Sequence, residues 1–150
     1  MSGMVGLVAI DLDGTLVHSD TLEIAGRDRD AIRAVADRGV HVVIATARAP
    51  GVAMQFAREL GLSSPVIGNN GASTALLDGT ELVRNTIAAE CASRILQAIP
   101  AESRISWVEW DRIYVEERAG GLPSGKRQVN FCEWDVEVVP RTGFPVTSGA

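Results

Sequence analysis

The feature that most constrains the fold of this chain is a short apolar segment that ends in two closely spaced carboxylates. Residues 5–10 read VGLVAI, and Asp11 and Asp13 follow directly, with Gly14 and Thr15 after them. A continuous apolar run bounded by turn residues predicts a strand buried on both faces of a parallel sheet. Burial of carboxylates at the end of such a strand costs free energy, which is expected only where they have a function. Open α/β sheets bind ligands at the carboxyl ends of their strands. The pattern therefore predicts an α/β fold with a site at Asp11 and Asp13.

The spacing of the two carboxylates indicates what they can do together. While the chain is extended, alternation places Asp11 and Asp13 on the same side, and Gly14 then permits a sharp turn. One carboxylate can attack an electrophile, the other can transfer a proton, and their oxygens can hold a hard cation. A simple helix cap is the alternative interpretation. An EF-hand is excluded because its loop requires Gly and Glu where this chain has Leu16 and Leu22.

Composition and charge narrow the classes of function. The chain has 150 residues, 46% of them hydrophobic and 22% charged, and a net charge of −5. These values are typical of a globular protein, and the length alone favours one domain. An acidic chain without a basic stripe argues against nucleic acid as a partner.

Targeting signals and cysteines bear on the expected compartment. The apolar run at the N-terminus is too short to span a membrane and lacks the basic and small-residue features of a signal peptide. The two cysteines, Cys91 and Cys132, fit reduced thiols better than a disulfide framework, and a single bridge between them stays open. We therefore expect a cytoplasmic protein with no membrane partner.

Strand and helix signals alternate in the first half of the chain. Short apolar runs predict three strands, at 5–10, 40–45 and 65–68. Helical spacing of apolar residues predicts two helices, at about 29–38 and 50–60. Asp28 is the expected N-cap of the first helix, and Gly39 and Gly61 are the expected stops. Asp78 and Gly79 between apolar runs predict a hairpin.

The second half of the chain has a different pattern. Residues 86–99 predict an amphipathic helix whose apolar face carries Ile87, Cys91, Ile95 and Leu96. Strands are expected at 104–110, 112–118 and within 128–139, with a turn at Asp111 and a loop at 119–126. No further parallel-strand pattern is evident, and residues 140–150 are typical of a loose tail.

The run Asp11-Leu12-Asp13-Gly14-Thr15-Leu16 after an apolar strand resembles the first motif of the haloacid dehalogenase superfamily. Most members are Mg²⁺-dependent phosphohydrolases that act through an aspartyl-phosphate. The resemblance implies that Asp11 is the nucleophile and Asp13 the general acid/base. It also implies that Asp11 and the Leu12 carbonyl hold Mg²⁺, and that backbone donors at Leu12 and Gly14 contact the phosphoryl group.

A second segment extends the resemblance. Residues 44–48 read IATAR, which is similar to a family motif in which Gly and Arg follow a Thr; Ala47 replaces that Gly here. The resemblance implies that the Thr46 hydroxyl bonds the transferring phosphoryl group, and Arg48 would pair with a phosphate in bidentate fashion. A helix cap for Thr46 and a solvated loop position for Arg48 are the alternatives.

The end of the third predicted strand points to one branch of the superfamily. Residues 69–72 read NNGA, which resembles the Cof-type branch, in which a large α/β cap is inserted at this point and an Asn lies near the phosphate. We carry that role to Asn70, although Asn-Gly is also an ordinary turn signal. The resemblance implies a Rossmann-like three-layer core with an incomplete parallel sheet over residues 1–83 and a partial α+β cap over residues 84–150.

Two later motifs of the family are missing. One supplies a lysine and the other supplies acids in a Gly-Asp-x-x-x-Asp pattern that complete the Mg²⁺ site. Lys126, the only lysine, lies in the expected cap, and residues 140–150 hold no acid. The chain therefore resembles only the N-terminal part of such an enzyme, and we expect a fragment, a shortened product or a site completed by another chain.

These features together predict Mg²⁺-dependent hydrolysis of a small phosphomonoester, such as a sugar phosphate, impaired in this shortened chain. The alternatives are a non-catalytic phosphate-binding module and a fragment that another chain completes. In the family's sheet order the first strand is central and its missing neighbour is the fourth. Residues 5–10 would then present an open apolar edge, and we expect self-association through it.

Overall fold

The computed structural model describes residues 5–18, 21, 23–110, 112–117, 124–129 and 132–146. The chain divides into two compact units, Met1–Arg84 and Asn85–Ala150. In the described residues, no helix is long and apolar enough to cross a membrane. The Asp111 turn and most of the 119–126 loop lie outside the described residues.

The first unit consists of strands and helices that alternate along the chain before a terminal hairpin. Its strands are β1 (Leu7–Ile10), β2 (His41–Ile44), β3 (Val66–Gly68), β4 (Ser73–Ala75) and β5 (Glu81–Arg84). Its helices are α1 (Gly26–Ala36) and α2 (Pro50–Leu60), with a short 3₁₀ turn at Asn69–Gly71. Proline at the first helical position and Gly61 at φ 73° account for the bounds of α2.

The strands of the first unit follow one another in space. β1 and β2 are parallel, with Leu7 opposite His41 and Ile10 opposite Ile44. A parallel bridge from Ala45 to Ile67 continues the order to β3, and β3, β4 and β5 are antiparallel neighbours. The first three strands therefore end at the same edge of the sheet, so the segments that follow them meet there. The α/β fold with an incomplete parallel sheet is confirmed.

The core of the first unit lies where α2 packs on β2 and β3. Its most deeply buried side chains, each at most 2% exposed, include Leu12, Ile44, Val52, Leu60 and Val66. Leu12 belongs to the turn after β1, so burial of its side chain anchors that turn in the core. The expected hairpin is present as β4 and β5, and the Asp78 carboxylate accepts the Thr80 backbone N–H at 2.8 Å.

Two expectations for the first unit are wrong. β1 is not buried on both faces: Leu7 is 57% exposed and Val5 65%. Among the described residues β1 pairs only with β2, so one edge of this strand has no neighbour. Asp28 is not the N-cap of α1, because the helix begins at Gly26 after Ala25. Asp28 lies instead in the first turn, where a carboxylate favours the positive end of the helix dipole.

The second unit has one helix and a four-stranded sheet. These elements are α3 (Ala89–Ala98), β6 (Ser106–Val108), β7 (Arg112–Glu116), β8 (Gly125–Val129) and β9 (Cys132–Val139). The strand order is β6-β7-β9-β8. β7 and β9 are parallel, which corrects the expectation of no further parallel pairing. Its buried cluster consists of Ile105, Tyr114, Val139 and Phe144, with Leu96, Ile99 and Trp107 packed against it.

Two features of the second unit differ from expectation. The predicted apolar face of α3 is divided: Leu96 packs on the cluster, whereas Ile95 is 48% exposed and Cys91 is an exposed free thiol. The C-terminal segment is not a loose tail through its described part. Phe144 is buried, and Arg141 donates to the Ile99 and Pro100 carbonyls at 2.6 and 2.9 Å. The side chain of Cys132 lies outside the described residues.

Candidate active site

The turn after β1 presents its two carboxylates to solvent. The Leu12 carbonyl oxygen accepts the backbone N–H groups of Thr15, Leu16 and Val17 at 3.2, 3.0 and 2.9 Å. Leu12 itself is fully buried, whereas Asp11 and Asp13 are exposed on either side of it. Alternation along the chain therefore places both acids on the open side of the turn, as the spacing predicted.

The same turn bears on the backbone roles that the resemblance implies. Three hydrogen bonds engage the Leu12 carbonyl, so this geometry disfavours its predicted role as a Mg²⁺ ligand. The Gly14 N–H donates to the Val17 carbonyl at 3.1 Å, which commits it to the turn rather than to a phosphate. Gly14 has φ +75°, a conformation that other residues rarely adopt, so its value here is conformational. The Leu12 N–H donates to no backbone acceptor within the described residues.

Arg48 and Asp13 form a two-pronged ion pair. Arg48 Nε donates to Asp13 Oδ2 at 2.8 Å, and Nη2 donates to Oδ1. The Arg48 side chain is 14% exposed and that of Asp13 46% exposed. Hydrogen bonding from Arg48 is the main influence on the Asp13 carboxyl; partial burial opposes it, the Arg48 charge adds to it, and the net effect lowers the pKa of Asp13. Arg48 is therefore not a solvated loop arginine, and it binds a carboxylate rather than solvent.

Thr46 lies buried at the end of β2 and organises the loop that follows. Its side chain is 5% exposed, and Oγ1 accepts the Arg48 backbone N–H at 3.2 Å. It is not the N-cap of α2, because that position belongs to Ala49. The helix-cap alternative is thus excluded. A hydroxyl that accepts one bond keeps its own proton for donation to a further acceptor.

The loop after β3 is tied to the loop after β2. The Asn69 N–H donates to the Arg48 carbonyl at 2.8 Å, and the Asn70 N–H donates to the Thr46 carbonyl at 3.3 Å. Asn69 and Asn70 have positive φ angles of 51° and 55°. Two successive non-glycine residues in this region are uncommon and are often found at functional sites. The backbone of Asn70 thus lies beside that of Thr46, whereas the role of Asn70 near a phosphate stays a prediction.

Three contacts in the site were missed from the sequence. Asn69 donates from Nδ2 to Ser73 Oγ at 3.3 Å, which braces the loop against β4. Gly68 lies so close to α2 that a Cβ there would be 2.6 Å from the Pro50 nitrogen. Neither contact has a local sequence signal. The ion pair of Arg48 with Asp13 was missed for the same reason, although parallel strands that end at one edge would have allowed it.

The acidic residues that the structure describes do not form a resident metal site on their own. No group of three or more His, Cys, Asp or Glu side chains suited to a metal ion occurs within the part of the chain that the structure describes. Mg²⁺ requires near-octahedral oxygen ligation, commonly from one or two carboxylates with waters and substrate phosphates. Asp11 is one exposed carboxylate of the right kind, whereas Asp13 is engaged by Arg48. The described residues therefore fit only part of such a site.

Comparison with known proteins identifies the family. A family model described as haloacid dehalogenase-like hydrolase matches residues 8–138. Phosphatase YwpJ from Bacillus subtilis is 33% identical over 132 residues, which cover 86% of this chain and 43% of that protein. The 5-amino-6-(5-phospho-D-ribitylamino)uracil phosphatase YcsE from the same organism is 45% identical over 67 residues, which cover 45% of this chain and 26% of that protein.

A solved structure agrees with the sequence comparisons. BT1666 from Bacteroides thetaiotaomicron, a phosphatase of the haloalkanoate (HAD) enzyme superfamily, superposes with a TM-score of 0.66 at 26% identity. The match covers 77% of this chain and 43% of that one. This chain thus spans less than half the length of these relatives, with 43% of YwpJ and 26% of YcsE covered.

Proposed function

This chain belongs to the haloacid dehalogenase-like hydrolases, and we propose that it carries the nucleophile and phosphate-binding loops of a phosphohydrolase. Its substrate class would be small phosphomonoesters, such as a sugar phosphate. The observation that carries the proposal is the meeting of three loops at one sheet edge, with exposed Asp11 at the end of β1 and Thr46 and Asn70 after the next two strands.

The proposed reaction has two steps that exchange bonds at phosphorus. A carboxylate oxygen of Asp11 attacks the phosphoryl group, the ester P–O bond breaks, and the leaving oxygen takes a proton from Asp13. Asp13 then removes a proton from water, the water oxygen attacks phosphorus, and the aspartyl P–O bond breaks to release phosphate and restore Asp11. The Thr46 hydroxyl would stabilise the phosphoryl oxygens, and so would the Leu12 N–H, which has no backbone acceptor within the described residues.

We also infer the cofactor and the organisation of the whole protein from the family resemblance. Mg²⁺ would take one oxygen from Asp11 and the rest of its ligands from outside the described residues, and it would offset the charge of the phosphoryl group. Residues 1–83 would be the core and residues 84–150 the first part of a cap. A cytoplasmic location is proposed because two cysteines that lie far apart in the sequence suit reduced thiols better than a disulfide framework.

A non-catalytic phosphate-binding module is the second candidate. The specific observation in its favour is that Asp13, the proposed proton donor, is engaged by Arg48. Such a module would bind phosphate at the same loops without forming a covalent adduct. Adduct formation therefore separates the two functions.

The test is formation of a beryllofluoride adduct, followed by ¹⁹F NMR in the presence of Mg²⁺. The unaltered chain is expected to form the adduct, and Asp11→Asn is expected to lose it because the attacking oxygen is replaced. Asp30→Asn, an exposed acid on α1, is the matched control and should keep the adduct. Retention in Asp11→Asn with loss in Asp13→Asn would show that the two roles are reversed.

A further inference from the structure

We propose that Arg48 is a positioning residue that holds Asp13 in a resting ion pair and exchanges this carboxylate for the phosphate of the ligand. The inference rests on the proposed function, because it requires a phosphate to bind beside Thr46. It goes further in assigning an order of events, in which phosphate binding releases Asp13 for proton transfer. The partner of the Arg48 guanidinium thus depends on whether phosphate occupies the site.

The backbone of Arg48 is held on both sides. Its N–H donates to Thr46 Oγ1 at 3.2 Å, and its carbonyl accepts the Asn69 N–H at 2.8 Å. The side chain is only 14% exposed. Arg48 therefore joins all three loops of the site: its backbone contacts the loops after β2 and β3, and its guanidinium contacts the loop after β1. The guanidinium is a fixed feature of the site.

Asp13 is the less constrained partner of the pair. Its side chain is 46% exposed, and it lies next to Gly14 at φ +75° in the turn after β1. The backbone at Asp13 is held, because the Leu12 carbonyl and the Gly14 N–H on either side of it are both hydrogen-bonded to Val17. If the pair is broken, the exposed side chain of Asp13 is therefore the part that rotates away, while Arg48 stays beside Thr46.

The chemistry of a guanidinium makes the exchange possible. Its parallel N–H groups bind a carboxylate and a phosphate in the same bidentate geometry. The two prongs that now contact Asp13 are thus suited to two phosphate oxygens. A phosphate that accepts a hydrogen bond from the Thr46 hydroxyl would lie against the same loop as Arg48. It would then compete with Asp13 for the N–H donors of the guanidinium.

The exchange would have a consequence for proton transfer. In the resting pair both carboxylate oxygens of Asp13 accept hydrogen bonds from Arg48. Neither oxygen is therefore available for proton transfer to a leaving group. Transfer of the guanidinium to phosphate frees the carboxylate. Proton transfer by Asp13 is then coupled to occupancy of the site, whereas a purely structural staple between the loops would hold Asp13 whether or not phosphate is bound.

A double-mutant cycle on binding of inorganic phosphate separates these possibilities. Calorimetry would measure the affinity of the full chain, Asp13→Asn, Arg48→Met and the double variant, with Mg²⁺ held constant. Since exposed ion pairs are weak, release of the guanidinium is expected to tighten phosphate binding about two- to fivefold beyond the effect of charge removal. That extra gain should be absent in the Arg48→Met background.

The outcomes distinguish this inference from the proposed function. Equal gains from Asp13→Asn in both backgrounds would reflect charge removal alone and would overturn the exchange, while phosphate binding stood. Binding that is undetectable, or insensitive to Thr46→Val, would overturn the proposed site and the exchange with it. Arg48→Lys keeps the positive charge but lacks the bidentate guanidinium. It should still bind phosphate, and adding Asp13→Asn to it should tighten that binding less than it does in the unaltered chain.

A second measurement does not depend on folding of the Arg48 variants. The Arg48 Nε–Hε signal in ¹H–¹⁵N NMR can be assigned through its shift in Asp13→Asn. Titration of inorganic phosphate into the unaltered chain should move this signal towards a phosphate-bound position, and it should do so in parallel with the Thr46 signals. A signal that stays fixed while the Thr46 resonances saturate would contradict the exchange.

Discussion

Asp13 and Arg48, separated by 35 positions in the sequence, are joined by two hydrogen bonds between the loops that follow β1 and β2. The parallel pairing of those strands accounts for the proximity, since Ile10 lies opposite Ile44 and the two loops leave the sheet side by side. The pair joins the proposed proton donor to a guanidinium whose backbone is bound to Thr46.

We expect the ion pair to make the free energy of unfolding depend on pH in the acidic range. The pKa of Asp13 lies below its usual value in the folded chain, mainly because Arg48 donates to the carboxylate. When the pKa of a carboxyl is lower in the folded chain than in the unfolded chain, the ionised carboxyl stabilises the fold at pH values above the unfolded pKa, which is near 3.9. This contribution is lost as the pH falls through the folded pKa. The exposed setting limits the effect to about 1 kcal/mol or less.

The measurement for this expectation is the urea midpoint between about pH 5.5 and 2.5. The midpoint of the unaltered chain should fall more steeply below about pH 4 than that of Asp13→Asn, which cannot titrate at this position. Asp30→Asn serves as the control because this acid is exposed on α1. Parallel curves for the unaltered chain and Asp13→Asn would contradict a pair formed in solution.

Close packing of Gly68 against α2 should make this position intolerant of any side chain. A Cβ there would lie 2.6 Å from the Pro50 nitrogen and 2.8 Å from its Cγ and Cδ. Because backbone atoms cannot move aside cheaply, we expect Gly68→Ala to lower the free energy of unfolding by about 1–3 kcal/mol. It should also weaken phosphate binding, since Asn69 and Asn70 follow directly.

Gly51→Ala is the matched control for Gly68→Ala. Gly51 lies in α2, and a Cβ there would meet no atom within 4 Å. Alanine favours a helix over glycine, so this variant should be neutral or more stable by up to about 1 kcal/mol. Urea unfolding of both variants decides the matter, and equal midpoints would mean that the contact with Pro50 is relaxed in solution.

The open edge of β1 leads us to expect self-association. Val5 and Leu7 are 65% and 57% exposed, and among the described residues only β2 pairs with this strand. Unpaired apolar edges recruit other strands, and lysine on an edge prevents this. Leu7→Lys should therefore shift the chain towards monomer, whereas Ile95→Lys, at a 48% exposed position on α3, should not. Sedimentation showing a monomer at all micromolar concentrations would refute the expectation.

This chain on its own is expected to be a poor phosphatase. The described residues offer Asp11 as an exposed carboxylate but no cluster of three metal-binding side chains. Loss of one electrostatic contact commonly slows such a reaction by about 10²–10³-fold, and an incomplete metal shell adds to the loss. Release of phosphate from an aryl phosphate with Mg²⁺ is the assay. Rapid turnover by a demonstrated monomer, abolished in Asp11→Asn, would contradict this prediction.

The elements that were correctly predicted from sequence are those with strong local signals. Pro50 and Gly61 mark the two ends of α2, and Asp78-Gly79 lies in the hairpin turn between β4 and β5. These signals depend on the backbone conformation of one or two residues, which the side chain itself favours. For the same reason the turn at Gly14 after β1 was predictable.

The wrong expectations concern what each segment packs against. The apolar pattern of residues 86–99 correctly indicated a helix, but only the tertiary structure decided that Leu96 packs inward while Ile95 stays exposed. Phe144 looked like part of a loose tail, yet it fills the cluster that Ile105 and Tyr114 form. Periodicity defines an apolar face without stating which part of it finds a partner.

The sequence by itself determined the placement of two carboxylates at the end of an apolar strand and the likeness of this motif to a family of phosphohydrolases. Only the tertiary structure decided that Asp13 is bound by Arg48, that Thr46 holds the Arg48 backbone and that Leu12 commits its carbonyl to the turn. The motif is local, and its spacing is written in consecutive residues. The contacts depend on how β1, β2 and β3 align at one edge, because side chains distant in sequence meet only when the sheet brings their loops together.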